Sequence, residues 1–400
     1  MSARSILDDL DIEGTDFAVD DDPNLHATLA DLRSRKPYAV VPFGPTRALV
    51  LLTEDLVLAA FRDEKTFPSY ATYRPITSAV LGHTLQTMEG REHRINKALL
   101  SRPFRPMAAA ALAESLIAPV AHQIVDAFAE RGNADLVAEF TREYPVRIIS
   151  ALLGLPDDDV ALLKRWAHDL FTFPYAPEQA LRASKEYTEY ITPVLAERRA
   201  NPSDDLISML VAETDAEEAL GDEQILSFLR QLFPAGADTT HLSVGSALVA
   251  LLTHPEQLDI LRKNPTEELR WAVAEALRWE PPVGLLPRFC PEAVTWHGLD
   301  IPAETPVVFA ISAANRDPSK YPDPNRFDIT RRVMPATTFG GGPHGCLGNW
   351  LALVEMETAL RVIVERLPGL RLQKGAKAEV TSMIATALRG PRSLLVEWDT

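Results

Sequence analysis

Through most of this chain, apolar side chains recur at intervals of three and four residues, the spacing that gathers them on one face of a helix. On that pattern helices are expected at residues 26–35, 54–62, 89–100, 108–131, 136–153, 158–171, 177–199, 205–212 and 223–253, and another begins at Asn264-Pro265. Strand-like runs, rich in β-branched and aromatic residues, are fewer. Residues 38–41 and 47–52 flank Phe43-Gly44-Pro45-Thr46, which predicts a hairpin. Residues 293–297 and 305–310 form a second strand-like pair with Gly298 in the turn between, and the tail, 370–400, alternates weakly. The pattern therefore predicts a mainly α fold with a small β region. Two breaks interrupt it. Residues 66–86 carry prolines, a glycine and mixed polarity, so a long loop is expected; its Tyr70, Tyr73, Ile76, Val80 and Leu81 either face a ligand or simply pack. Phe173-Pro174-Tyr175 separates two helices, as a lid over a pocket or as a plain connection.

The longest periodic stretch, 223–253, is apolar on most of its circumference through Ile225, Leu226, Phe228, Leu229, Leu232, Phe233, Leu242, Val244 and Leu248. Such a helix is buried on all sides. Its middle reads Phe233-Pro234-Ala235-Gly236-Ala237-Asp238-Thr239-Thr240. Proline and glycine weaken the hydrogen-bond ladder and Thr239 competes for a carbonyl, so a kink or opening is expected. An acid beside an alcohol in that setting can bind water and relay protons. A kinked core helix with its polar groups satisfied has the same pattern.

Composition narrows the classes. The 400 residues, 46% of them hydrophobic, can bury a large core. A net charge of −16 argues against general nucleic-acid binding, which needs a basic footprint. The two cysteines, Cys290 and Cys346, are far apart and make neither a metal finger nor a disulfide framework. Cys290 reads as an inert buried thiol. The N-terminal residues are acidic and lack a signal peptide's basic flank and apolar run, and no stretch approaches the roughly 20 apolar residues of a spanning helix. A soluble, cytoplasmic protein without a membrane partner is expected.

Cys346 stands in Phe339-Gly340-Gly341-Gly342-Pro343-His344-Gly345-Cys346-Leu347-Gly348, just before an apolar helix-forming stretch. Glycines allow tight turns and close approach to a flat ligand. A helix N-terminus favours the thiolate, and backbone N–H groups near the sulfur can tune it. A haem iron with an axial cysteine needs all three features. The positions Phe339, Gly340, Gly342, His344, Cys346 and Gly348 together resemble the haem-binding loop of the cytochrome P-450 family, soluble bacterial type. The resemblance extends to Ala235-Gly236-Ala237-Asp238-Thr239-Thr240, similar to the family's oxygen-activation motif, and to Glu275-Ala276-Leu277-Arg278, similar to its Glu-x-x-Arg signature.

What the resemblance implies is specific. One domain, residues 1–400, would adopt the cytochrome P-450 fold, a triangular helical domain enclosing haem b (iron protoporphyrin IX) between the long helix and the cysteine helix. Cys346 would bind the iron. His344, Arg288, and His93 with Lys97 would reach propionates, although the family usually has arginine at position 97 and lysine loses its fork. By spacing alone His93 and Lys97 fit a solvated charged face better, and it is the cysteine loop downstream that favours the propionate role. Phe339, Gly340, Gly348, Ala235 and Gly236 would complete the cofactor contacts. Asp238 and Thr239 would deliver protons. Glu275, Arg278 and Arg326 would form a buried ionic cluster bracing the cysteine loop. Tyr70, Tyr73, Val80, Phe173, Val283, Leu285, Met383 and Ile384 would line the substrate pocket, the last two at a turn. The implied reaction inserts one oxygen atom from O2 into a C–H bond of a small apolar substrate (terpenoid, steroid, fatty acid or aromatic). Electrons would come from a ferredoxin or flavodoxin-type donor with its reductase; Arg91, Arg94, Arg102 and Arg105 stand out against an acidic chain, and on that ground some of them are expected to dock such an acidic partner. A peroxide-driven peroxygenase and a non-catalytic haem-binding sensor are the rivals; neither explains the acid–alcohol pair.

Overall fold

A computed structural model of the chain describes residues 5–212, 220–384 and 387–400, with the backbone alone at 383 and 384. It is mainly helical with small sheets, and divides into two compact units.

The first unit comprises Met1–Thr72, Leu242–Cys346 and Lys374–Leu394. Its centre is a four-stranded sheet. The expected hairpin forms between Tyr38–Phe43 and Thr46–Leu51, with Tyr38 opposite Leu51. Thr46–Leu51 then pairs in parallel with Thr305–Phe309, which pairs antiparallel with Leu286–Cys290. Successive side chains point to opposite faces of a strand, and here both faces are covered. Val40, Leu49, Leu51, Val307 and Phe309 meet Val57, Ala60, Phe61 and Phe67 on one face. Ala39, Val41, Ala48, Val50 and Val308 meet Leu25, Leu29 and Leu32 of helix Leu25–Arg35 on the other. Two-sided burial is why this strand is an unbroken apolar run instead of an alternating one.

Gly298 turns as expected but joins different partners. With His297 it makes a two-residue left-handed turn (φ +49° and +79°) between Val294–Trp296 and Leu299–Ile301, leaving Thr305–Phe309 to the main sheet. Leu285 packs in the core under the sheet, beside Val308 and Ala310. Met383 and Ile384 lie in strand Thr381–Ile384 and not in a turn, pairing with Leu388–Gly390; their side chains lie outside the described residues.

The second unit comprises Tyr73–His241, Leu347–Gln373 and Leu395–Thr400. It is helical apart from a three-stranded sheet of 133–135, 395–397 and 371–372. Phe140, Tyr144, Tyr187 and Phe233 are fully buried in its core. Pro106–Arg131 is long and apolar enough to cross a membrane by length and composition, contrary to expectation. It is built of successive α, π, α and 3-10 segments, carries Glu114, Asp126 and Glu130, and buries Ile117, Ala121, Ile124 and Val125 in the unit.

The expected loop at 66–86 is largely a helix, Ser69–Leu81, with Pro75 inside it. Proline costs one ladder bond, but Tyr73, Thr77, Val80 and Leu81 are spaced by helical intervals and all buried, which offsets that loss. The long helix runs Asp222–Thr253 without interruption, Pro234 included. No opened, non-helical residue occurs within it.

Candidate functional site

The cysteine loop is shaped by its own backbone. Cys346 N–H donates to Phe339 C=O at 2.8 Å, closing the loop, and Gly340 N–H donates to Thr337 C=O at 2.9 Å. Between them Gly342–His344 makes one 3-10 turn. Gly342 is required twice over. Its φ is +63°, and a Cβ there would stand 2.3 Å from the Phe61 carbonyl oxygen. Phe61, at the end of helix Glu54–Arg62, thus seats the loop. Cys346 is exposed, and Gly348 caps helix Asn349–Arg366, which begins three residues on. Cys290, in contrast, is buried, its thiol pushed up by burial.

The cations near this loop have protein partners. His344 Nε2 lies 3.1 Å from Glu64 Oε1, which also accepts the Ser69 N–H at 2.8 Å. Arg288 is buried, its guanidinium 5.7 Å from the Phe309 ring centroid. Burial opposes ionisation of Glu64, but the hydrogen bond and charge of His344, the Ser69 amide and the Arg288 charge outweigh it and hold the carboxyl below its usual range.

The loop's stem is anchored to helix Pro265–Trp279. Thr337 Oγ1 donates to Asn315 Oδ1 at 2.6 Å, Asn315 Nδ2 to Thr338 Oγ1 at 2.8 Å, and Thr338 Oγ1 to Leu277 C=O at 3.0 Å. Beside it Arg278, fully buried, meets both oxygens of Glu275 at 2.7 Å. Its remaining N–H groups reach the carbonyls of Asn315, Pro324 and Arg326. A buried guanidinium is tolerated only when its donors are satisfied in this way. The third member of the cluster is Arg331, 3.4 Å from Glu275, and not Arg326. The Arg326 side chain is 60% exposed and contributes only its carbonyl. The 3-10 turn Ile329–Arg331 aims Arg331 inward, a detail no motif spacing conveys.

In the second unit the polar stretch of the long helix is set by its neighbours. A Cβ on Gly236 would lie 2.6 Å from Ile149 Cδ1, so glycine permits close packing there. Thr239 Oγ1 donates to the Ala235 carbonyl at 2.7 Å, the expected competition for a carbonyl. Asp238 is half-buried; burial raises its carboxyl to about 7, against the pull of the Arg142 charge. His241, one turn on, is pushed down to about 3 by burial and Arg142, and its Nδ1 sits 3.0 Å from Thr141 Oγ1. Burial also lifts Glu355 to about 8, opposed by a hydrogen bond with Thr240. Glu355 follows the apolar run Trp350–Val354, with Glu357 two residues on, the one signal that could have marked it. Arg142 and His241 carry none.

The remaining expected positions lie on several elements. His93 is buried and Lys97 half-buried one turn apart on helix Gly90–Leu100. Tyr73 and Val80 are buried, Tyr70 and Phe173 half-buried, and Val283 bridges to Leu388. Phe173-Pro174-Tyr175 is a turn between two helices.

The sequence profile of the cytochrome P450 family matches residues 13–377, and the chain belongs to that family. It is 35% identical over 380 residues to mycinamicin IV hydroxylase/epoxidase of Micromonospora griseorubida, spanning 92% of this chain and 94% of that one. To cytochrome P450 monooxygenase PikC of Streptomyces venezuelae it is 34% identical over 398 residues, spanning 98% and 94%. Among solved structures it is similar to the Bacillus subtilis 168 bacillaene polyketide synthase cytochrome P450 PksS, with a TM-score of 0.87 at 27% identity, covering 97% of this chain and 99% of that one. The fold is the cytochrome P450 fold, and the chain is an oxidoreductase, a haem-thiolate monooxygenase whose cofactor is haem b. Members of the family work on small substrates with redox partners.

Proposed function

We propose that Cys346 is the iron ligand of a cytoplasmic monooxygenase formed by a single domain, residues 1–400, acting on a small apolar substrate. The carrying observation is an exposed thiol on a glycine-built loop just before a helix N-terminus. The residues fit the cofactor: an exposed sulfur outside any disulfide, and His93, Lys97, Arg288 and His344 for its carboxylates. Phe339, Gly340 and Gly348, with Ala235 and Gly236, would complete its surroundings. The chemistry haem b supplies when bound is dioxygen activation with two electrons, for insertion of one oxygen atom into a C–H bond.

Asp238 and Thr239 are the proposed proton donors. A carboxyl at about 7 both holds and releases a proton near neutral pH, which suits a general acid. Tyr70, Tyr73, Val80, Phe173 and Val283 are the proposed substrate contacts. Terpenoids, steroids, fatty acids and aromatics fit an apolar lining. The names of the relatives add mycinamicin IV as a substrate worth testing. The proposed electron donor is a ferredoxin or flavodoxin-type protein with its reductase. Arg91, Arg94, Arg102 and Arg105 are all exposed on an otherwise acidic chain and suit an acidic partner.

The test is the absorption spectrum of the reduced, carbon-monoxide-treated protein. A strongly red-shifted band that disappears in Cys346→Ser is expected; an unchanged spectrum in that variant rejects the assignment. Reduction by the donor should slow as salt rises; salt-insensitive kinetics reject the arginine docking site.

A further inference from the structure

Glu64 is an acid placed among the cations assigned to the cofactor. Helix Glu54–Arg62 ends two residues before it, and Phe61 of that helix seats Gly340–Gly342. Glu64 Oε1 is fixed by the Ser69 N–H at 2.8 Å and lies 3.1 Å from His344 Nε2, and its charge interacts with that of Arg288. At 28% exposure, water screens these interactions only partly. No motif pointed to Glu64.

We propose that Glu64 is a positioning residue for the cofactor: it holds the His344 ring in place and offsets part of the positive charge that Arg288 presents to the propionates. This rests on the reading that those two residues face the propionates. The two roles separate by substitution. Glu64→Gln keeps an acceptor for His344 and removes the negative charge, so two propionates meet a more positive site. Haem is then held more tightly, and the reduced iron, which carries one electron more, is favoured. Glu64→Ala removes the acceptor as well and loosens the loop. Glu64→Asp keeps the charge.

The experiment uses purified holoprotein, with haem transfer to excess apomyoglobin and the ferric/ferrous midpoint potential as readouts. Glu64→Gln should slow haem transfer by about three- to tenfold, as removal of one partly screened like charge implies, and raise the potential. Glu64→Asp should stay near wild type in both. A Glu64→Gln protein that matches wild type in both readouts, or loses haem faster, overturns the proposal. Arg288→Gln and His344→Gln tell the two levels apart. If they do not speed haem loss, the propionate reading fails and the proposal falls with it. If they do while Glu64→Gln has no effect, only the role of Glu64 is rejected.

Discussion

In the cysteine loop, most of the building is done by the loop's own backbone. Cys346 bonds back to Phe339, Gly342 turns where only glycine fits, and the thiol is left exposed. In the middle of the long helix the backbone is ordinary α-helix, and the chemistry comes from other elements packed around it. Ile149 sits over Gly236, Arg142 and Thr141 act on Asp238 and His241, and Glu355 meets Thr240. One region specifies geometry through residue type; the other specifies proton affinity through burial. Substitutions should therefore act all-or-none in the first and by shifting a pH dependence in the second.

The largest effect is expected at Cys346. Replacing it with serine removes the thiolate and should abolish turnover. Next comes the stem. Arg278→Met leaves Glu275 buried without its main partner and should cost about 3–5 kcal/mol, read from denaturant unfolding. A loss below 1 kcal/mol would mean that Arg331 alone satisfies the carboxylate.

In the long helix, Asp238→Asn should slow turnover about a hundredfold and remove an inflection near pH 7. The sign follows from the raised carboxyl: a proton donor at about 7 is lost as pH rises through that value, so the wild-type rate falls on the alkaline side. An Asp238→Asn enzyme with the wild-type pH profile would separate the inflection from this residue. Glu355 bears on stability. Held at about 8 against a usual 4.5, it binds more protons folded than unfolded across that window, so stability falls as pH rises through it. Glu355→Gln should flatten the pH dependence of unfolding by on the order of 5 kcal/mol across that window. The smallest change is expected in Arg142→Gln. Its charge favours the Asp238 anion, so its loss should move the inflection upward without lowering the maximal rate.

These contrasts follow what could be read beforehand. The glycine–cysteine loop, the Glu275/Arg278 pair, the hairpin and the length of the long helix were legible because each depends on neighbours in sequence. Prolines misled at Ser69–Leu81, where buried Tyr73, Thr77, Val80 and Leu81 outweigh the bond Pro75 forfeits.

The amino-acid sequence by itself determined where the chain turns tightly, which cysteine is set in glycines and which helix is apolar all round, since φ/ψ freedom and periodicity are local properties. Tertiary structure alone decided that Arg331 replaces Arg326, that Glu64 shares the cations of His344 and Arg288, and that Asp238 and Glu355 hold protons near neutrality. Those outcomes depend on burial and on charges brought together from distant positions, and solvation is a property of the folded surroundings, not of the residue.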